Sequence, residues 1–338
     1  MHILDFTKEE LEDIIVKKYQ EKKFRAKQIC DWLYKKRVNR FDDFKNLPKT
    51  LVEKLKNNFL LYTFEILSKQ KSKLDATVRY NFKTKDGYFI PTVFIPKVER
   101  NVVCISTQIG CAVKCKFCNS GRVKFVRNLT CGEIIEQILR IEEGRINGVL
   151  YMGMGEPLLN YDNVVKSLKI LTDEDMVGLG RRRITVSTIG IVPNIYKLAE
   201  ENLKVKLAIS LHSANDEVRR KLVPNFKYSI DEILKAATFY AKKTSTVVTI
   251  EYVLIKNKND DITAMKELIK VLKKHSEDKK VYKINLIPYN QVEKCNYEKP
   301  LDDKIGSLKN FLISNGFLTF VRKPYGLDIN AACGQLGF

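Results

Sequence analysis

From Val102 to the C-terminal region, seven apolar, strand-like runs alternate with stretches of helical spacing. The runs cover 102–105, 148–152, 183–186, 204–209, 247–254, 281–287 and 317–321. One intervening helix is expected from Thr130 to Ile141, opened by a capping box of Thr130 and Glu133. Such alternation predicts an α/β fold with a parallel sheet, curved or closed as a barrel. In a parallel barrel the C-terminal strand ends share one face, and active sites form there.

The polar residues follow this rule. Cys111, Cys115 and Cys118 follow the first run, Gly153-Met-Gly-Glu156 the second, Ser187-Thr-Ile-Gly190 the third, Ser210-Leu-His212 the fourth and Pro288-Tyr-Asn290 the sixth. Five separated segments are therefore expected to converge on one pocket. Gly153 and Gly155 would let backbone approach a ligand closely, and Glu156 could accept from an ammonium or a ribose hydroxyl.

The cysteine loop, Ile109-Gly-Cys-Ala-Val-Lys-Cys-Lys-Phe-Cys118, carries the CxxxCxxC spacing. Three thiolates can hold three irons of a 4Fe-4S cluster and leave the fourth iron open for chemistry. A zinc finger would want a second Cys or His pair. Cys131 stands alone, the chain has three histidines, and zinc held by Cys104 with the three is the remaining zinc option. Cys30, Cys131 and Cys295 read as ordinary thiols.

The net charge of +20 predicts a polyanionic partner, nucleic acid first, with a lysine-solvated surface as the bland alternative. Eight unevenly spaced cysteines and a start without a basic-then-apolar pattern point to a reducing, cytoplasmic location. The apolar run Val247–Ile255 is far too short to span a bilayer.

Residues 1–60 read as a basic helical accessory module. Thr7 with Glu10 caps a first helix, Ile29, Trp32 and Leu33 face inward from a second, and a third opens at Pro48 and buries Leu51, Val52 and Leu55. Residues 61–97 switch towards period two and form a small β segment with a hairpin at Asp86-Gly87. Pro91 in its second run predicts an edge strand or a bulge. Residues 98–322 would then form the partial barrel, and 323–338 a tail that carries Cys333 among small residues.

These residues resemble the RlmN/Cfr family of radical S-adenosylmethionine RNA methyltransferases. The resemblance runs from about Phe24 to Leu336 and is carried by Phe24-Arg-Ala-Lys-Gln28, Cys104-Ile-Ser-Thr-Gln-Ile-Gly-Cys-Ala112, Arg127-Asn-Leu-Thr130, Met152-Gly-Met-Gly-Glu-Pro157, Ser187-Thr-Ile-Gly190 and Asp328-Ile-Asn-Ala-Ala-Cys-Gly-Gln-Leu336. The intact Gly-Glu-Pro and Asn215-Asp216 are more similar to the RlmN branch.

The resemblance implies a radical-SAM partial (β/α) barrel, with Cys111, Cys115 and Cys118 as cluster ligands. Gly155, Glu156, Ser187, Ser210, Leu211, His212 and Asn290 match positions that bind S-adenosylmethionine. Cys333 matches the cysteine that becomes S-methylated, and Cys104 its resolving, disulfide-forming partner. It further implies methylation of an adenosine ring carbon, carbon 2 first, in 23S ribosomal RNA and also transfer RNA. The implied electron donor is a flavodoxin or ferredoxin, with no membrane association and a monomeric state.

Two departures bear on these expectations. The position that is acidic in that family, before Thr92-Val-Phe-Ile-Pro96, is Pro91 here. Proline cannot accept a proton, so carbon 8 methylation or another radical modification stands as the alternative chemistry. Asn119-Ser-Gly-Arg-Val-Lys124 replaces a small, Gly-rich segment and is expected to alter RNA contact. A basic RNA-binding protein with a structural metal is the alternative of another class.

Overall fold

A computed structural model describes residues 1–98, 100–225, 227–293 and 295–337. Its strands are β1 (Glu65–Lys71), β2 (Val78–Lys83), β3 (Phe89–Ile95), β4 (Val102–Cys104), β5 (Gln108–Ile109), β6 (Arg127–Asn128), β7 (Gly148–Tyr151), β8 (Ile184–Thr188), β9 (Lys206–Ser210), β10 (Val248–Leu254), β11 (Tyr282–Pro288) and β12 (Leu318–Val321). Ten of them form one sheet in the order β1-β2-β3-β4-β7-β8-β9-β10-β11-β12, and β5 pairs with β6 apart from it. The pairings from β4 through β7 to β12 are all parallel, and β1 to β4 meander antiparallel.

Crossover helices separate the parallel strands, as the alternation in the sequence requires. The helix Cys131–Leu139 is capped by Thr130, with the reciprocal Glu133 contact present, and buries every residue. All seven residues of β10 are buried, which is why that run is continuously apolar apart from Thr249 and Glu251. The sheet is open, because β12 has one strand neighbour. Seven parallel strands about 4.8 Å apart would span about 29 Å if flat. Residues at or beyond the ends of β7 to β12 nevertheless border one cavity, so this part of the sheet curves as a partial barrel.

The strand with Pro91 is neither an edge nor bulged: β3 lies between β2 and β4 in regular register. The sequence expectation is corrected here by where β4 stops. β4 pairs only with Val93 to Ile95, so Pro91 lies beyond its end. The Pro91 carbonyl points to that side and accepts from Ser106 Oγ at 2.6 Å. In a β-strand the N–H of the same residue would point the same way, so proline removes no ladder bond.

The N-terminal helices are Lys8–Asp13, Phe24–Cys30 and Lys49–Asn58, the first two continuing as π-helical turns. Leu11, Ile29, Leu33, Leu51 and Leu55 are buried as their spacing predicts, while Trp32 is half-buried. The module is fastened to the barrel helix Cys131–Leu139. Glu136, fully buried, accepts from the backbone N–H of Thr63 and of Phe64, each at 2.8 Å. Asp5 accepts from the Gly132 N–H at 2.7 Å. Arg127 ties the tip of the β2–β3 hairpin to the same helix, with 2.7 Å contacts to Asp86 and to Glu133. No helix among the described residues is long and apolar enough to cross a membrane.

Candidate active site

The segment after β4 and the segment after β7 are laced together, and this lacing builds the site. Thr107 N–H donates to the Met154 carbonyl at 2.9 Å, Gly153 N–H to Ile105 at 3.0 Å, and Glu156 N–H to the Gln108 side chain at 2.9 Å. A Cβ on Gly153 would lie 2.6 Å from the Ile105 carbonyl, and one on Gly155 2.6 Å from Gln108 Cβ. The two glycines therefore admit the neighbouring loop of the protein itself. Both still line the cavity, at its wall.

All five predicted segments meet there. The cavity is bordered by Cys111, Cys115 and Cys118, by Gly155 and Glu156, by Ser187 and Ser210, and by His212 and Asn290. Leu211 differs: its side chain is wholly buried in the main core, outside this lining. Ser187 and Ser210, at neighbouring strand ends, have their hydroxyls 3.2 Å apart.

Electrostatics follows from burial. Glu156 accepts from the N–H groups of Leu158 and Ile189, each at 2.9 Å, yet desolvation pushes its carboxyl up to about 7. His212 adopts a left-handed backbone (φ 61°), and its Nδ1 accepts from Val253 N–H at 3.2 Å. Burial, with Arg219 nearby, pushes it down to about 3, so the ring is neutral with the proton on Nε2. Arg219, buried beneath the site, donates to the carbonyls of Leu211 (2.8 Å), Ile189 (2.6 Å) and Ser210 (3.2 Å). It thus pins the ends of β8 and β9 together.

The C-terminal tail closes the cavity. Cys333 borders it together with Gly334, and Asn290 donates to the Cys333 carbonyl at 2.9 Å. Asn119 N–H donates to the Gly334 carbonyl at 2.7 Å, and Ser120 Oγ to Leu336 at 2.5 Å. The Asn119-Ser-Gly segment thus holds the tail. Arg79 on β2 secures the other side, donating to Asn330 and Gly337 carbonyls at 2.9 Å each.

Cys104 lies elsewhere. It lines a second, smaller cavity with Tyr325, Ala332 and Leu336, and Cys333 is the cysteine common to both cavities. Burial pushes the Cys104 thiol up to about 12, with the neighbouring Cys333 adding to the effect and Arg322 opposing it. A zinc site of Cys104 with the loop cysteines is not assembled: among the described residues no three His, Cys, Asp or Glu side chains converge as a single ion requires. Cys30 and Cys131 are buried, Cys295 is half-buried, and all eight cysteines are free thiols.

Two residues at the cavity escaped the sequence reading. Glu251, from the middle of β10, is buried, and its Oε1 accepts from Asn285 at 3.0 Å. Its Oε2 makes no hydrogen bond and has Arg322 Nη1 at 3.8 Å. A lone acid within the apolar run 247–254, and an arginine directly after the run 317–321, were the available signals. Three thiols at one side of the cavity and a buried carboxylate oxygen bordering it that makes no hydrogen bond fit a cluster with a charged organic ligand.

The Radical SAM superfamily pattern matches residues 105–269, and that of the ribosomal RNA large subunit methyltransferase N-terminal domain matches residues 1–61. A probable dual-specificity RNA methyltransferase RlmN from Endomicrobium trichonymphae is 45% identical, over 96% of this chain and 93% of that protein. The chain belongs to the RlmN-like family of radical SAM RNA methyltransferases.

A second RlmN relative, from Clostridium novyi (strain NT), is also 45% identical, over 99% of this chain and 97% of its own length. The crystal structure of a radical SAM methyltransferase from Sphaerobacter thermophilus superposes with a TM-score of 0.93 at 37% identity, over 99% of this chain and 98% of that one. The RlmN-like chain is thus an enzyme that uses a 4Fe-4S cluster and S-adenosylmethionine, and the reading as a non-enzymatic binding protein falls.

Proposed function

We propose that this enzyme methylates carbon 2 of an adenosine in 23S ribosomal RNA, and in transfer RNA, through an S-methylcysteine on Cys333 that Cys104 resolves. The observation that carries this reading is Cys333 bordering both the cavity of the three loop cysteines and the cavity of Cys104. The names of the relatives, dual-specificity RNA methyltransferases, support the RNA substrate.

Cys111, Cys115 and Cys118 would hold the cluster, which with S-adenosylmethionine supplies one-electron reduction and hydrogen abstraction from an unactivated carbon. Gly155, Glu156, Ser187, Ser210, His212 and Asn290 would hold the nucleoside and amino-acid parts of that cofactor, with Leu211 contributing backbone only. An adenine ring carbon is too weak a nucleophile to displace a sulfonium methyl, whereas a thiolate can. Cys333 therefore takes the methyl first. The methyl carbon, once it has lost a hydrogen atom, bonds to the ring carbon. That ring carbon gives up its hydrogen as a proton to a base, and the surplus electron returns to the cofactor system. The Cys104 thiolate then attacks the Cys333 sulfur. The S–S bond forms as the S–CH2 bond breaks, and the carbon keeps that electron pair and takes a proton. An external dithiol then reopens the disulfide. Cys104, held protonated by burial, stays inert until a base takes its proton.

Peptide mass spectrometry across Cys333, after anaerobic incubation with methyl-labelled S-adenosylmethionine, tests the reading. Label on Cys333 is expected, and a cluster-loaded protein with unlabelled Cys333 would refute it. Nucleoside analysis of the product separates carbon 2 from carbon 8, the alternative that Pro91 keeps in view.

A further inference from the structure

The opposite end of the barrel carries a second, basic cleft. It is bordered by Tyr34 and Lys35 of the N-terminal module, by Arg37, by Arg145 just before β7, and by Arg183 just before β8. These last two mark the N-terminal strand ends, while the cofactor cavity lies at the C-terminal ends. β8 alone has five residues, so about 17 Å separates the two sites along the strand.

No carboxylate lines this cleft. Among the described residues, none of the side chains of Lys35, Arg37, Arg145 and Arg183 takes part in an ion pair. The Tyr34 hydroxyl, on a residue 3% exposed, has no hydrogen-bond partner. Four cations around one cleft without a carboxylate are a site for an anion rich in oxygen acceptors. Lys206, which opens β9 next door, carries the same imprint. Burial first, then Lys283, Arg100, Arg182 and Arg183, hold it below the ordinary lysine value.

We propose that this basal cleft binds phosphodiester groups of the RNA substrate, away from the reacting base. The proposal rests on the RNA reading above. A chain of phosphates suits the site better than one free phosphate group, because exposed Arg181 and Arg182 continue the positive track beyond the cleft. The cleft also joins the N-terminal module to the barrel, so an RNA gripping both would be read only when the two are assembled.

The test uses the full chain and two fluorescent RNAs, a whole transfer RNA transcript and a short hairpin spanning only the reacting base and its stem. Arg37→Gln, Arg145→Gln and Arg183→Gln are combined, and Arg145→Gln with Arg183→Gln, both at exposed positions, guards against a folding defect. Binding is measured by anisotropy against salt. Each lost phosphate contact lowers the log–log salt slope by about 0.9, so the triple variant should lose between about 2 and 3. Its affinity for the whole RNA should fall about 10-fold or more at physiological salt, with hairpin affinity unchanged. Unchanged affinity for the whole RNA, or equal weakening of both RNAs, overturns the proposal. So does protection by inorganic pyrophosphate, against heat, that the variants lose without losing RNA. If the unaltered enzyme binds neither RNA, the RNA reading itself fails first, and the two failures are distinguishable.

Discussion

Replacing Glu156 by Gln should turn a pH-dependent cost into a constant one. The Glu156 carboxyl is pushed from the ordinary 4.5 up to about 7 by burial, against two backbone N–H donors that oppose the shift. A value raised on folding means that the protonated form favours the folded state. Its contribution is complete below pH 4.5 and is lost as the pH rises through 7. At about 1.4 kcal/mol per tenfold, the difference between the two values amounts to ~3 kcal/mol, most of it falling between pH 5 and pH 9. Glu156→Gln removes this titration. It also turns an amide NH2 towards the Leu158 or Ile189 N–H, an offset of about 1–3 kcal/mol that does not vary with pH. Urea unfolding of both cluster-free proteins at a series of pH values isolates the term, since all other groups are shared. The wild-type advantage should shrink by roughly 2–3 kcal/mol between pH 5 and pH 9. A difference that stays flat would show that the two N–H donors offset desolvation completely, and that Glu156 is an ordinary carboxylate.

Arg219→Met should lower the urea unfolding free energy by about 3 kcal/mol or more, because three buried carbonyls lose a charged donor; a loss below 1 kcal/mol would mean that water replaces it. Gly153→Ala should cost about 1–3 kcal/mol, since its Cβ would meet the Ile105 backbone at 2.6 Å, and equilibrium dialysis should show weaker S-adenosylmethionine binding. Asn290→Ala removes the hydrogen bond to the Cys333 carbonyl, so iodoacetamide should label Cys333 several-fold faster while buried Cys30 is unchanged. Equal rates at Cys333 would show that Arg79, Asn119 and Ser120 fix the tail without Asn290.

The parallel sheet was legible because burial on both faces leaves apolar runs, and the site was legible because polar residues directly follow them. Ser187, Ser210 and Asn290 are each unremarkable, and only their shared position after strands joins them. Local capping was equally visible: both Thr7 with Glu10 and Thr130 with Glu133 make the reciprocal bonds that their spacing predicts. What escaped depends on contacts distant in sequence. Pro91 fits an interior strand only because β4 ends early, and the ends of a neighbouring strand cannot be read from the proline itself. Gly153 and Gly155 admit the approach of residues 105–108, 47 or 48 positions earlier, besides lining the cavity. Glu251 and Arg322 meet across two strand spacings, which neither local sequence reveals.

A tail, rather than a strand, carries Cys333, and the proposed chemistry explains why. A thiol that must first receive a methyl group and later be attacked by a second thiol needs two open approaches, and a strand position buried on both faces offers neither. The tail gives Cys333 two sides, one on the cavity of the loop cysteines and one on the cavity of Cys104. Flexibility is the hazard of such an arrangement, since a mobile sulfur would be methylated and attacked at random. Three anchors from distant parts of the chain remove it: Arg79 on β2, Asn119 with Ser120 beyond the cysteine loop, and Asn290 beyond β11. Because one anchor belongs to the segment that follows the three loop cysteines proposed to hold the cluster, losing the cluster should loosen the tail as well. Hydrogen exchange of residues 331–336 should therefore quicken when iron is removed, and unchanged exchange would sever the link between cluster and tail.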